Sequence, residues 1–162
     1  MVHGSILDMD VQAIVNAANS RGIMGGGVAG IIKHAAGPEV DEEARRQAPI
    51  PVGSAVLTSG GRTRYQAIIH APTMPEPGMR IDPRNVALAT RAALALADAR
   101  GFASVAIPGM GTGVGGVAYA DAAAMMIKEI RAFVPRALQT VALVDVDPAM
   151  VQAWREALKE IK

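Results

Sequence analysis

Two asparagines lie close together at the end of an apolar segment, where their side chains could do chemistry. Asn16 and Asn19 follow Ile14 and Val15, and the chain contains only one other asparagine, Asn85. The apolar pair is typical of a buried strand, whereas asparagine is unfavourable in strands and common in turns. The two amides therefore indicate a strand that leads into a loop with polar side chains.

Glycine is concentrated in two segments, and each is predicted to follow a strand. Gly25-Gly26-Gly27 comes shortly after Asn19, and residues 109–116 include five glycines. Glycine lets the backbone approach a ligand and turn its N–H groups toward the oxygens of a phosphate or diphosphate. The alternative is that the glycines only form tight turns. Two such clusters, one of them beside Asn19, favour the binding interpretation.

Strands and helices alternate along the predicted fold. Pro72 to Pro83 holds four prolines and is predicted to be a loop. Helices between strands imply a sheet that is covered on both faces, so the fold class is α/β, a three-layer α/β/α sandwich with a central mixed sheet. In such a sheet ligands bind beyond the carboxyl ends of the strands, where both glycine segments fall. The predicted strands are at about 12–17, 54–59, 65–71, 104–108 and 140–145, and the helices at about 28–36, 38–48, 83–100, 118–134 and 148–161.

Composition excludes several classes of function. The 162 residues are predicted to form one domain, 1–162. The absence of cysteine excludes disulfides and thiolate catalysis, and three scattered histidines form no metal motif, so neither a metal nor a cofactor is expected. A net charge of +1 provides no extended nucleic-acid surface. No segment is apolar for long enough to span a membrane and no signal-peptide pattern is present, so a cytoplasmic location is expected. Scarce asparagine and ten prolines are typical of thermophile proteins.

Further segments extend the pattern around the asparagines and glycines. Taken together in chain order, they resemble the macrodomain family, the ADP-ribose-binding modules. The set covers most of the chain and is specific, whereas each motif alone is weak. The resemblance implies that the ligand is ADP-ribose or an ADP-ribosylated macromolecule. The matching segments are Asp-Val-Gln-Ala-Ile-Val-Asn-Ala-Ala-Asn at 10–19, Gly-Gly-Gly-Val-Ala-Gly at 25–30, His-Ala-Ala-Gly at 34–37, Ile-Ile-His at 68–70, Ser-Val-Ala-Ile-Pro at 104–108 and Gly-Thr-Gly-Val-Gly-Gly at 111–116.

The resemblance also implies a role for each segment. Asn19 is placed at the distal ribose, where its amide can bond ring hydroxyls, and it is the implied catalytic residue of a hydrolase. Asn16 is counted with the ligand-binding residues, although its more consistent role is to brace the loop. The other implied ligand-binding residues, which surround the diphosphate and ribose, are Gly25, Gly26, Gly27 and Val28 in the first segment and Gly111, Thr112, Gly113, Val114 and Gly115 in the second.

The chain departs from the family at the adenine end of the implied site. The family usually has Gly-Asp-Ile near its N-terminus, with the aspartate receiving the adenine amino group, whereas this chain has Ser5 followed by Ile6 and a truncated first strand. A serine can bond the base without the charge-assisted strength of a carboxylate. Many members also stack an aromatic residue on adenine, and the implied position here is Val146. Ser5, Ile6 and Val146 are therefore the implied base contacts, with Val15 as a further wall.

Two substitutions near the implied ribose bear on catalysis. Ala29 stands where some active members have an aspartate, and Gly115 where others have an aromatic residue. The remaining catalytic elements are Asn19, a bound water and the phosphate of the substrate as base. The predicted function is binding of ADP-ribose or ADP-ribosylated molecules, and two alternatives concern turnover. One is hydrolysis of mono-ADP-ribosyl or O-acetyl-ADP-ribose esters, and the other is non-catalytic reading of the mark.

A dinucleotide-dependent oxidoreductase is the alternative from a different class. Residues 111–116 formally fit the G-x-G-x-x-G fingerprint, and Asp145 ends the next predicted strand as a ribose-binding acid would. Asp145 follows Gly116 by 29 residues, whereas about 20 are expected after the fingerprint. The spacing favours the macrodomain interpretation.

Overall fold

The computed structural model describes residues 1–25, 27–76, 79–113 and 115–160. These residues form one six-stranded sheet and five α-helices, which confirms the predicted α/β class. A short 3-10 helix, Ile6–Asp8, follows the first strand. The strands are β1 (Val2–His3), β2 (Ala13–Asn19), β3 (Val56–Ser59), β4 (Ala67–Met74), β5 (Ser104–Ile107) and β6 (Thr140–Asp145). The helices are α1 (Gly27–Ala36), α2 (Pro38–Arg46), α3 (Arg84–Ala99), α4 (Tyr119–Ala132) and α5 (Pro148–Glu160).

The sheet is mixed, as expected. Its strand order is β1-β6-β5-β2-β4-β3, and every neighbouring pair is parallel except β3 and β4, which form an antiparallel pair. The truncated first strand is a two-residue edge strand in which Val2 and His3 lie opposite Val144 and Asp145. Five parallel strands therefore point their carboxyl ends toward the same edge of the sheet.

The two faces of the sheet pack against different helices. Along β2, Ala13 and Val15 face the layer that contains α3, α4 and α5, whereas Ile14 faces the layer that contains α1 and α2. Successive strand side chains point to opposite faces, so a strand that is covered on both sides must be apolar at every position. This requirement accounts for the continuous apolar runs in the sequence.

The β4 strand extends further than the sequence predicts. Pro72 was expected to begin a loop, but β4 continues to Met74, and Pro72 lies opposite Ala18 of β2. Pairing with β3 ends at His70, so the outer edge of β4 is unpaired beyond that residue. Proline is tolerated on an unpaired edge, because its missing N–H removes no ladder hydrogen bond there.

A glycine separates α1 from α2. Gly37 has a φ of 97° and its N–H donates to the carbonyl of Lys33 at 2.9 Å, which closes the last turn of α1. Pro38 then starts α2, a position where proline costs no hydrogen bond. This tight junction places α1 and α2 side by side under the loop that follows β2. In the residues that the structure covers, none of the helices has both the length and the apolar character needed to cross a membrane.

Candidate functional site

The carboxyl ends of all five parallel strands open into one cleft of about 460 Å³. Helix N-termini and loops meet at this edge of an α/β sheet, so it is the expected place for a ligand. Each strand contributes at or just beyond its last residue. The contributing residues are Gly4 after β1, Ala17, Ala18 and Asn19 in β2, Thr73 and Met74 in β4, Pro108 and Gly109 after β5, and Val144, Asp145 and Val146 around the end of β6.

One wall of the cleft is the first loop, residues 20–25, and Asn19 holds it in shape. The Asn19 Nδ2 donates to the carbonyl of Ile23 at 2.8 Å, and its Oδ1 accepts from the N–H groups of Arg21 and Ile23 at 3.0 and 3.3 Å. Asn19 is 8% exposed and still lines the cleft. The amide has two donors, so one N–H has no partner among the described residues after these three bonds.

The first loop also packs closely against α1 and α2. A Cβ on Gly22 would lie 2.7 Å from the carbonyl oxygen of Ala44 in α2, and one on Gly30 would lie 2.7 Å from the carbonyl oxygen of Gly25. Backbone atoms cannot move aside as a flexible side chain can, so both contacts require glycine. The loop is therefore clamped between the two helices.

Asp41 adds a charged anchor to this wall. It lies on α2, is 5% exposed, and its Oδ1 accepts from the N–H of Met24 at 3.0 Å. Its Oδ2 contacts the Lys33 Nζ at 3.4 Å and the Arg45 Nη2 at 3.0 Å. A buried carboxylate needs such partners to offset its lost hydration.

The opposite wall is the second loop, residues 108–113 and 115–118, which backbone hydrogen bonds hold together. The N–H groups of Gly116 and Val117 donate to the carbonyls of Gly113 and Gly111 at 3.1 and 3.0 Å, and the N–H of Ile81 donates to the carbonyl of Gly115 at 3.0 Å. Gly111 has a φ of 76°, in the left-handed region that favours glycine. The shape of this loop thus depends on glycine backbone geometry.

The third side of the cleft lies near the chain's N-terminus. The Ser5 Oγ accepts from the N–H of Leu7 at 3.2 Å and caps the 3-10 helix, which leaves its O–H free to donate. Asp145 accepts from the N–H groups of Gly109 and Asp147 at 3.1 and 2.9 Å. Val146 is 65% exposed. Among the described residues that line the cleft, Asp145 has the one ionisable side chain. That part of the lining therefore contains no Lys, Arg or His and no second carboxylate.

A buried polar network lies in the sheet beneath the cleft. The Asn16 Nδ2 is 3.2 Å from the His70 Nδ1, and the Thr58 Oγ1 is 2.9 Å from the His70 Nε2. The Thr58 hydroxyl donates to the carbonyl of Ser59 at 3.1 Å, so it accepts from the imidazole Nε2–H and leaves Nδ1 to accept from Asn16. Burial lowers the pKa of His70 to about 4, against an opposing effect of the Asp41 charge. The imidazole is therefore neutral at pH 7.

The structure brings most of the predicted site residues into the cleft and leaves some out. Asn16 is 1% exposed and contacts His70 instead of bracing the loop backbone, because the two residues lie opposite each other on the neighbouring strands β2 and β4; the bracing asparagine is Asn19. Val15 is fully buried in the core against α3, so it is not a wall of the cleft. Gly26 and Val114 lie outside the described residues. The predicted residues that line the cleft are Ser5, Ile6, Asn19, Gly25, Gly27, Val28, Gly111, Thr112, Gly113, Gly115 and Val146.

The sequence predictions missed part of the lining. Thr73 and Met74 were missed because they fall in the segment predicted to be a loop; they are the last two residues of β4. Ile23 and Ile31 carry no recognisable signal, because an isolated apolar residue in a loop or helix is ordinarily packing. Among the described residues, no group of three or more His, Asp or Glu side chains is placed to hold a metal ion. Ala29, which stands where some active members of the family have an aspartate, lines the cleft.

Comparison with known proteins identifies the fold family. The family model described as Macro domain matches residues 15–126. The chain belongs to the macrodomain family. An uncharacterized protein of Aquifex aeolicus is 56% identical over 158 residues, which is 98% of this chain and 96% of that protein. A Citrobacter rodentium protein named O-acetyl-ADP-ribose deacetylase is 40% identical over 144 residues, 84% of this chain and 80% of that protein.

A solved macrodomain structure has the same fold. A mutant macrodomain of Oceanobacillus iheyensis, with ADPR, has a TM-score of 0.87 and 28% sequence identity. The superposition covers 98% of this chain and 90% of that one.

Proposed function

We propose that this macrodomain binds ADP-ribose, either free or attached to a macromolecule, in the cleft at the carboxyl edge of the sheet. The observation that carries the proposal is the pair of glycine-rich loops that face one another across that edge. The adenine lies at the Ser5 and Val146 side, the diphosphate between the loops, and the distal ribose beside Asn19. The solved relative with ADPR supports the choice of ligand.

Backbone dipoles supply the favourable interaction with the diphosphate. Since the described lining has no Lys or Arg, the negative charge must be met by N–H groups and by the N-terminus of α1, which begins at Gly27. Cβ atoms added at Gly25 or Gly113 would meet nothing within 4 Å, so the cleft is open at both loops. The Thr112 hydroxyl adds a donor at the second loop.

Calorimetric titration with ADP-ribose tests the proposal, and Gly113 provides a sharp variant. Gly113 lines the cleft and has open space around its Cβ position, so Gly113→Val adds a branched side chain to the cleft from a Cβ that meets nothing within 4 Å. We expect ADP-ribose affinity to fall by at least about 100-fold, close to 3 kcal/mol. Gly113→Ala is the matched control, with a change of less than about threefold. No heat with the wild type, or equal heat with both variants, would contradict the proposal.

The titration also separates the alternative classes. NAD bound more tightly than ADP-ribose, together with a redox activity, would favour the oxidoreductase. Asn19→Ala removes the loop brace and the free amide N–H together, and we expect an affinity loss of about tenfold or more. Unchanged binding in that variant would remove Asn19 from the site.

Ester hydrolysis is the second candidate function, favoured by the Citrobacter rodentium relative named as a deacetylase. Asp145 lies at the base side, so the described lining offers no carboxylate, histidine or lysine near the ribose to act as a general acid or base. We therefore propose binding as the primary activity. Incubation with O-acetyl-ADP-ribose and with mono-ADP-ribosylated protein decides the matter. Release above that of Asn19→Ala identifies a hydrolase, and binding without release identifies a reader.

A further inference from the structure

Asp41 is the most buried charged side chain that the proposed function does not use. It is 5% exposed and does not line the cleft. Nevertheless its carboxylate reaches three separate elements: the first loop through the Met24 N–H, α1 through Lys33, and its own helix α2 through Arg45. Met24 immediately precedes Gly25, which does line the cleft.

The geometry of these contacts favours a role in the shape of the loop. A hydrogen bond from a backbone N–H to a carboxylate is charge-assisted and stronger than a neutral one. Lys33 and Arg45 fix the orientation of the carboxylate through two ion pairs. Their own side chains remain partly exposed, so water still solvates the positive charges. The carboxylate is thus held in place by two contacts besides its bond to the loop.

We propose that Asp41 is a positioning residue for the first loop: it fixes the backbone at Met24 so that the adjoining Gly25 faces the diphosphate and distal ribose. This inference rests on the proposed function. It differs from a general stabilising role because it predicts which part of the ligand loses affinity. In the proposed binding mode the first loop borders the ribose, whereas Ser5, Asp145 and Val146, which also line the cleft, border the base.

Asp98 offers a matched control for the loss of a loop-anchoring carboxylate. Its side chain accepts from the N–H groups of Arg136, Ala137 and Leu138 at 2.8 to 3.2 Å. These residues connect α4 to β6, and neither they nor Asp98 line the cleft. Asp98→Leu therefore frees a loop of this protein that has no place in ligand binding.

The experiment measures the affinities of AMP, ADP and ADP-ribose for wild type, Asp41→Leu, Asp41→Asn and Asp98→Leu, with unfolding by urea alongside. We expect Asp41→Leu to weaken ADP-ribose by at least about tenfold, ADP by less, and AMP by less than about threefold, since one charge-assisted bond is lost. Asp41→Asn keeps an oxygen acceptor for Met24, so its affinity for ADP-ribose falls by an intermediate factor. Asp98→Leu loses stability and keeps all three affinities.

The outcomes separate this inference from the proposed function. If the wild type does not bind ADP-ribose, the proposed function fails whatever Asp41 does. If the wild type binds and the Asp41 variants weaken the three ligands equally, or not at all, only the inference is overturned. The same ranking with Asp98→Leu would overturn it too. Should Asp41→Leu fail to fold, Asp41→Asn must show the ranking by itself.

Discussion

The two loops that face one another across the cleft are held in different ways. In the first loop, buried side chains bond to the backbone: Asn19 to Arg21 and Ile23, and Asp41 to Met24. In the second loop, backbone groups bond to one another, with the turns at Gly111 and Gly116 in the left-handed region. Each loop therefore has partners within the protein for part of its backbone, in keeping with the need of buried backbone groups for hydrogen bonds.

This difference teaches where each loop is vulnerable. A side-chain anchor is lost when its polar atoms are removed, even if size and shape are preserved. A glycine turn is lost when any side chain is added, whatever its polarity. Both loops should therefore respond to an added side chain at their tight glycines, such as Gly22 and Gly111, but only the first loop should respond to the loss of polar side-chain atoms. The following predictions test that contrast.

The largest effect on stability is expected in the second loop, from Gly111→Ala. The added Cβ would occupy a left-handed residue and lie 2.9 Å from both the Ile81 Cδ1 and the Val86 Cγ2. Left-handed strain and overpacking together cost roughly 3 kcal/mol. Urea unfolding measures this loss directly. In Gly113→Ala, where the Cβ meets nothing within 4 Å, the change should stay below about 0.5 kcal/mol. Equal losses in the two variants would show that the turn does not depend on glycine geometry.

A pH-dependent loss of about 2 kcal/mol is expected from the polar network on the first-loop side. The pKa of His70 is lowered by burial to about 4, from 6.5 in the unfolded chain. The unfolded state therefore binds more protons between these values, and stability falls as pH drops through that window. Between pH 7 and pH 5 the loss is about 2 kcal/mol.

The control for the histidine is His70→Gln, which carries no titratable group. Urea unfolding at pH 7 and pH 5 should show a smaller difference in the variant than in the wild type, by about 2 kcal/mol. Because carboxylates that titrate in the same range are present in both proteins, the subtraction isolates His70. An identical pH dependence in the two proteins would mean that the pKa of His70 is the same in the folded and the unfolded chain.

The fold class and the order of strands and helices along the chain could be predicted from sequence, because their signals are local. The continuous apolar runs, the glycine at 37 with proline at 38, and the glycine segments at 25–27 and 109–116 each depend on residues that are close in sequence. Pro72 was misplaced for a different reason. Whether proline fits a strand depends on whether the neighbouring strand is still paired at that point, and that depends on where β3 ends.

The two asparagines show the same limit at the site. Sequence places Asn16 and Asn19 at one strand exit, but their roles depend on which face each side chain meets. Asn16 lies opposite His70 in the β2–β4 ladder and bonds to it, whereas Asn19 turns into the loop. The sequence gives no sign of the role of Asp41, since Lys33 and Met24 reach it only after α1 and α2 pack together. Contacts between segments that are distant in sequence cannot be predicted from the residue spacing within either segment.

A smaller effect, about 1.5 kcal/mol, is expected from Asn19→Asp in the first loop. The carboxylate keeps the two acceptor bonds to Arg21 and Ile23 but places an oxygen, in place of the Nδ2 donor, against the carbonyl of Ile23. The substitution conserves shape, so a loss identifies polarity as the anchor. Urea unfolding at pH 7 measures it. A variant as stable as the wild type would show that packing alone holds this loop.

The smallest effect is expected where a first-loop side chain makes an exposed contact. The Arg21 Nε lies 3.3 Å from the Glu76 Oε2, and the two side chains are 61% and 55% exposed. Water and salt screen such a pair, so Arg21→Ala should cost less than about 0.5 kcal/mol and change ADP-ribose affinity by less than about twofold. Urea unfolding measures the stability and calorimetric titration the ADP-ribose affinity, each at low and at high salt. Both measurements should give similar results for variant and wild type. A loss as large as that of Asn19→Asp would contradict the contrast between the loops. It would mean that exposed polar contacts anchor the first loop as strongly as buried ones do.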